Sequence, residues 1–483
     1  MNIADDEKLS IPDVDLSKMN CDQKFAFDIV LKSIFDYVEN PEDFKPLRMV
    51  VSGTAGSGKS FLIKCIVEAT RTIFASNKAV QILCPTGSSV NIISGVTLHS
   101  FLKIPTTKRG RDMQVPEGSI GESLQKNCEG LKVLLVDERS LIGSTTLGWM
   151  EFMCRCGVKH GKNMTESWGG LPVVVFLGDD VQLPPVLDSP VYNCSGKCPA
   201  SMHGVLVWQN FNSAVNLKQI VRQGEDQQQL KDVLLSIREY KASDQQATWL
   251  QKWHNLRLKY GEELLHRMSD KGLFVFPTLE QVWGHNKSKL LELNSFYPIA
   301  KLVSECRGSH SKSEDSEKAG GLQKTLFLCK SAKVMLSVNL CVPFGLFNGA
   351  TGTVVDIIYL NGKRPENSLP DVVMVEFDSY TGPGFVQESK KNVPIFPTDR
   401  KIDCYCNSCF RKQIPLRLGW ASTIHKCQGM TIGQGEPFNY IVINPGTTSF
   451  ESRNPGALFV ALSRAKSAGS DQLHPDIVGI PRF

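Results

Sequence analysis

Between Cys21 and Val38, Phe25, Ile29, Val30 and Ile34 recur at helical spacing and predict an amphipathic helix. The pattern changes at Leu47–Ser52 (LRMVVS), a continuous apolar run that predicts a short buried strand. A glycine-rich turn follows, then an apolar helix from Ser60 onward. Val80–Cys84, Val133–Val136 and Val173–Leu177 are three more runs of strand length, rich in Val, Leu or Ile. Buried strands separated by helical stretches predict a parallel α/β sheet.

The second half repeats this logic less clearly. Leu230–Tyr240 and Ala247–Tyr260 predict helices, and Leu273–Phe276, Val334–Leu336 and Ile441–Ile443 predict strands. Glu305–Gly321 (ECRGSHSKSEDSEKAGG) is polar and predicts an exposed loop. From Asn348 to Pro415, short β-rich pieces at Gly352–Tyr359 and Val372–Phe377 alternate with Pro/Gly turns. That change predicts a small β domain inserted into a second α/β domain. The expected organisation is a first α/β domain over 1–225, a second over 226–347 and 416–483, and the insertion over 348–415.

Composition narrows the classes. A chain of 483 residues with 41% apolar content is globular, with a length prior of roughly three domains. Lys plus Arg (54) against Asp plus Glu (49) leaves a net charge of +5, too mild to point to nucleic acid by itself. No apolar run reaches the ~18 residues of a membrane span. Met1–Asn20 carries Asp5, Asp6, Glu7, Asp13 and Asp15 against Lys8 and Lys18, unlike a secretory or transit segment. The 15 cysteines, an odd number, read as free thiols of an intracellular chain. Cys404-x-Cys406-x₂-Cys409, and Cys194-x₃-Cys198 ahead of His203, each fall short of an obvious four-ligand zinc set.

The strongest motif is Gly53-Thr54-Ala55-Gly56-Ser57-Gly58-Lys59-Ser60, which fits G-x-x-x-x-G-K-[ST] between a predicted strand and a predicted helix. Its glycines allow the backbone to wrap a phosphate chain, and the backbone N–H groups and helix N-terminus cradle the anion. Lys59 is placed to reach the β- and γ-phosphates of ATP, and the Ser60 hydroxyl to ligate Mg²⁺. A second apolar run ends in Asp137-Glu138. Asp137 would complete the Mg²⁺ shell, and Glu138 would orient and deprotonate an attacking water, the arrangement of an ATP hydrolase. A third ends Gly178-Asp179-Asp180-Val181-Gln182-Leu183-Pro184-Pro185, where Gln182 could bond the γ-phosphate or its water, or serve only the loop.

The P-loop, VDERS at Val136–Ser140 and GDDVQLPPV at Gly178–Val186 resemble motifs I, II and III of superfamily 1B DNA helicases, with the petite-integration-frequency (PIF) helicases the nearest family. Further segments resemble the remaining motifs in order. These are CPTGSSVNIISGVTLHSF at Cys84–Phe101 (Ia), QIVRQ at Gln219–Gln223 (IV), NGATGTV at Asn348–Val354 (entry to the β insertion), WASTIHKCQGMTI at Trp420–Ile432 (V) and FVALSRAKS at Phe459–Ser467 (VI). The resemblance spans Asn20 to Ser467, and its wording is similar to the helicase segments of Helitron-type transposons. Arg139 departs from the pattern, which has an apolar residue after the Asp-Glu pair.

The resemblance implies two RecA-like P-loop domains with parallel sheets plus a small β-barrel, with 101–130 a small insertion of the first domain facing DNA. It implies ATP and Mg²⁺ as cofactors, Gln23 as the adenine-reading glutamine, and Arg222 and Arg464 as arginine fingers of the second domain. Thr86, His99, Ser100, Phe101, Asn348, Thr423, His425 and Lys426 are the candidates for single-stranded DNA, although Phe101 could be core and either histidine could merely satisfy a carbonyl. Lys108, Arg109 and Arg111 could contact phosphate or form a solvated loop. The implied activity is ATP-dependent unwinding by a monomer moving 5′→3′ on single-stranded and forked DNA, in the nucleus and off the membrane. Repair, recombination, telomere maintenance and transposition are the roles such an enzyme serves. The other reading is a catalytically weak single-stranded DNA-binding module of a decayed transposon.

Overall fold

The computed structural model describes residues 14–85, 95–105, 112–158, 165–193, 196, 198–254, 271–308, 316, 319–360, 368–385, 391–402, 409–468 and 477–479. The chain divides into two compact units, Met1–Arg222 and Gln223–Phe483.

The first unit is built on β1 (Leu47–Gly53), β2 (Val80–Cys84), β3 (Val96–Thr97), β4 (Val133–Val136), β5 (Val173–Gly178) and β6 (Ser213–Leu217). They form one sheet in the order β3-β2-β4-β5-β1-β6, and every pairing is parallel. β4 and β5 are buried along their whole length, which is why they read as unbroken apolar runs with no alternation. Helix α1 (Cys21–Glu39) starts in a capping box, in which Asn20 Oδ1 accepts from the Gln23 N–H and Gln23 Oε1 accepts from the Asn20 N–H. Helix α2 (Lys59–Phe74) follows the turn after β1. Within 101–130, the helix Gly118–Cys128 packs Leu124 and Cys128 into the core beside Leu98, Phe101, Leu134 and Phe176.

The second unit holds a four-stranded parallel sheet. Its strands are Gly272–Phe276, Ala421–Thr423, Tyr440–Ile443 and Ile477–Gly479, with Gly272–Phe276 between Ala421–Thr423 and Tyr440–Ile443. A five-stranded antiparallel sheet joins Asn392–Ile395, Val372–Phe377, Thr351–Ile358, Lys333–Leu336 and Leu416–Leu418 in that order. The β section is thus wider than 348–415. Val334–Leu336 is a strand as expected, but it pairs antiparallel with Leu416–Leu418 on one side, and Lys333–Met335 with Thr351–Thr353 on the other, rather than joining the parallel sheet. Glu305–Arg307, expected to be loop, pairs with Phe410–Lys412. Two helices, Gln228–Arg238 and Asp244–His254, occupy the predicted helical stretches.

Candidate ATPase site and strand-binding residues

β4, β5 and β1 are neighbours, so the loops leaving their C-terminal ends lie side by side at one edge of the sheet. Ligands of open α/β sheets bind at that edge. Here it brings together the P-loop, the Asp137-Glu138 pair and the Asp179–Gln182 turn.

The P-loop turn needs two left-handed residues, Gly56 (φ 85°) and Gly58 (φ 81°). A Cβ on Gly58 would stand 2.2 Å from Gln23 Nε2. Gly58→Ala therefore meets both backbone strain and a clash, and is expected to cost on the order of 1–3 kcal/mol and to weaken nucleotide binding. Thermal melting and nucleotide titration of that variant check this. Ser57 Oγ is buried without a hydrogen-bond partner, which fits a loop built to receive an anion's oxygens. Lys59 Nζ donates to the carbonyls of Gly53 (2.7 Å) and Thr54 (3.0 Å). Burial lowers the Lys59 pKa, and the nearby carboxylates of Asp179, Asp137 and Glu138 oppose that shift while Arg222 adds to it.

Asp137 is buried at the end of β4, and burial together with the adjacent Glu138 raises its carboxyl to about 7, against the Lys59 charge. A carboxyl raised this far holds its proton at mildly acidic pH, and a divalent cation must displace that proton. Nucleotide affinity in the presence of Mg²⁺ is thus expected to fall by roughly fivefold from pH 7 to pH 6 and to level off above pH 8. Titration of a fluorescent ATP analogue across that range tests it, and a flat profile contradicts it. Asp137 and the Ser60 hydroxyl at the start of α2 supply the hard oxygen donors that Mg²⁺ prefers. Glu138 itself sits at φ 55°, ψ 47°.

Asp179 is a site residue that sequence reasoning passed over. It is buried at the end of β5 and heads the charges acting on Lys59. The signal was present, since β5, like β4, is an apolar strand ending in acids. Gln182 is buried in the same turn, its N–H donating to the Asp179 carbonyl at 3.0 Å.

Gln23 is buried, and its amide is engaged at both ends: Oε1 in the capping box and Nε2 donating to the Ser57 carbonyl at 3.1 Å. It couples α1 to the P-loop. Arg222 is the last residue of the first unit, inside the 1–225 span expected for the first domain, whereas the arginine-finger resemblance assigned it to the second. The N–H groups of Val221 and Arg222 donate to the Gly56 carbonyl at 2.8 and 3.1 Å, which buttresses the loop and brings the Arg222 charge near Lys59.

Arg464 is buried in the second unit. Its Nε donates to the Val460 carbonyl at 2.9 Å and its Nη2 to Ser463 Oγ at 2.8 Å. The Ile432 N–H donates to the Arg464 carbonyl at 3.0 Å and the Lys466 N–H to the Ile432 carbonyl, also at 3.0 Å, so the WASTIHKCQGMTI and FVALSRAKS segments are joined. Thr423 is buried at the end of its strand; His425 is half-buried, which lowers its pKa, and Lys426 is exposed. Asn348 is exposed, its N–H donating to Asn339 Oδ1 at 2.7 Å. Ser100 is exposed and His99 half-buried on a short helix, Leu98–Phe101. Phe101 packs in the core of the first unit, the alternative weighed for it from the sequence. Thr86, Lys108, Arg109, Arg111, Cys194, Cys404 and Cys406 lie outside the described residues, and Cys409 is buried. The described cysteines are free thiols, and among the described residues no helix is long and apolar enough to cross a membrane.

The sequence profile of PIF1-like helicases matches residues 18–252. That match covers just under half of the chain. It is 27% identical over 418 residues to the ATP-dependent DNA helicase Pif1 of Bdellovibrio bacteriovorus, covering 86% of this chain and 82% of that one. The fold is similar to that of the Pif1 helicase of Candida albicans, with a TM-score of 0.67, 21% identity, and 96% and 95% of the two chains covered. It is also similar to the Bacteroides Pif1 helicase crystallised with ADP-AlF3 and single-stranded DNA, with a TM-score of 0.62, 23% identity, and 94% and 91% covered.

Proposed function

We propose that this chain is a PIF1-like helicase that hydrolyses ATP at the edge formed by β1, β4 and β5 and uses the hydrolysis to move along single-stranded DNA and unwind forked duplex. The observation that carries the reading is that the turns after β1, β4 and β5, carrying Lys59, Asp137, Glu138 and Asp179, meet at one end of the sheet, with the three carboxylates acting on the Lys59 charge. Lys59 draws charge off the β- and γ-phosphates, and the P-loop N–H groups hold them. Glu138 directs and deprotonates water, Gln182 orients it, and Arg222 and Arg464 answer the charge that develops on the γ-phosphate. Asp137 and Ser60 hold Mg²⁺, which neutralises phosphate charge when bound. In this reading Gln23 acts on the nucleotide through the P-loop it braces, in addition to any contact with adenine.

Two RecA-like domains, 5′→3′ movement, a monomeric state and a nuclear setting complete the proposal. They rest on the ordered motifs, and the Helitron-like assignment rests on the wording of those motifs. Ser100, Asn348, Thr423, His425 and Lys426 remain the candidates for phosphate and sugar contacts, with His99 beside them. ATP hydrolysis measured with and without single-stranded DNA tests the reading; hydrolysis that DNA does not stimulate favours the binding-module alternative. An RNA strand as competitor in the same assay tests the choice of DNA.

A further inference from the structure

Arg139 stands at a position where the resemblance expects an apolar side chain, and it is 2% exposed. Its Nε donates to Asp180 Oδ1 at 3.1 Å, and its Nη2 bonds Asp180 Oδ2 and reaches Ser52 Oγ at 3.3 Å. The guanidinium lies 5.6 Å from the centroid of the Trp208 ring. One side chain thereby ties the ends of three strands together: β1 just before the P-loop, β4 at the Asp-Glu pair, and β5 at the third motif. A planar, bidentate donor is needed to do this, and a lysine in its place would supply only a point charge.

The backbone explains what is being held. Glu138, the residue before Arg139, is a non-glycine in the left-handed region, a conformation that persists only where its surroundings enforce it. The Glu138 N–H donates to Asp137 Oδ1 at 2.9 Å on one side. On the other, the end of β5 presses against the turn, so that a Cβ on Gly178 would stand 2.8 Å from the Arg139 nitrogen.

We propose that the Arg139–Asp180 pair is a positioning clamp that holds the strained turn and so aims Glu138. Arg139 is then a positioning residue and not the mark of a decayed copy. The proposal rests on the role given to Glu138 above. Asp180 is 44% exposed, so substituting it spares the core.

The test is a cycle of Arg139→Met, Asp180→Asn and the double change Arg139→Met/Asp180→Asn, read as DNA-stimulated ATPase alongside melting temperature. Each single change is expected to lower kcat by about a hundredfold, the scale of a misplaced catalytic group. KM for ATP should stay within about threefold, since the phosphate cradle is untouched. The double change should lose no more than either single one. In a Glu138→Gln background, Arg139→Met should add no further loss, because the clamp acts through that carboxylate. A single variant with parental kcat, or losses that multiply in the double or in the Glu138→Gln background, overturns the clamp alone. A parent chain without DNA-stimulated ATPase overturns the functional reading and the clamp with it.

Discussion

Replacing Lys59 with alanine is expected to lower DNA-stimulated ATP hydrolysis by at least about a hundredfold while the chain stays folded. The ammonium feels the charges of Asp179, Asp137 and Glu138, and its own hydrogen bonds go to the Gly53 and Thr54 carbonyls. Removing it withdraws the charge that offsets the γ-phosphate. It also removes the charge that holds the Asp137 carboxyl down, so that carboxyl should rise further and Mg²⁺ binding weaken. The fold should survive, because alanine is the best helix former at the first residue of α2 and no apolar core residue is lost. Steady-state ATPase and circular dichroism of the same preparation decide it. Parental turnover, or unfolding in step with lost activity, contradicts the assignment.

The second large effect is expected from Glu138→Gln. The amide keeps the size of the side chain and can still bond a water, but it cannot take a proton. Loss of a general base costs about 10²–10⁴-fold in kcat. Nucleotide binding should be retained or tightened, since one negative charge near the phosphates is removed. Single-turnover hydrolysis and a binding titration separate these two consequences. Weakened binding at undiminished turnover assigns Glu138 to the cradle and not to the water.

Both predictions depend on features that were legible in the sequence. β1, β4 and β5 read clearly because central strands of a parallel sheet are buried on both faces, and their apolar runs are unbroken. The P-loop glycines read clearly because the turn admits little else at φ near +80°. Other parts were hidden for identifiable reasons. Val334–Leu336 has the composition of a buried strand, and composition does not say whether its neighbours run parallel or antiparallel. Glu305–Arg307 is a short, mostly exposed strand inside a polar stretch, without an apolar face to mark it. Phe101 sits in a segment resembling a DNA-contacting motif, and only packing shows that its ring is spent on the core. Arg139 and Asp180 are 41 residues apart, and each alone has the look of a surface charge. Their pairing, and the strained Glu138 between the two strand ends, exist only once the sheet has brought β4 and β5 together.

The central claim is that hydrolysis at this sheet edge drives strand separation. Its most direct test is a strand-displacement assay with duplexes carrying either a 5′ or a 3′ single-stranded tail, in the presence and absence of ATP. ATP-dependent release from the 5′-tailed duplex, lost in the Lys59→Ala variant, is the predicted result. Release that needs no ATP, or that persists at the parental rate in that variant, contradicts the account.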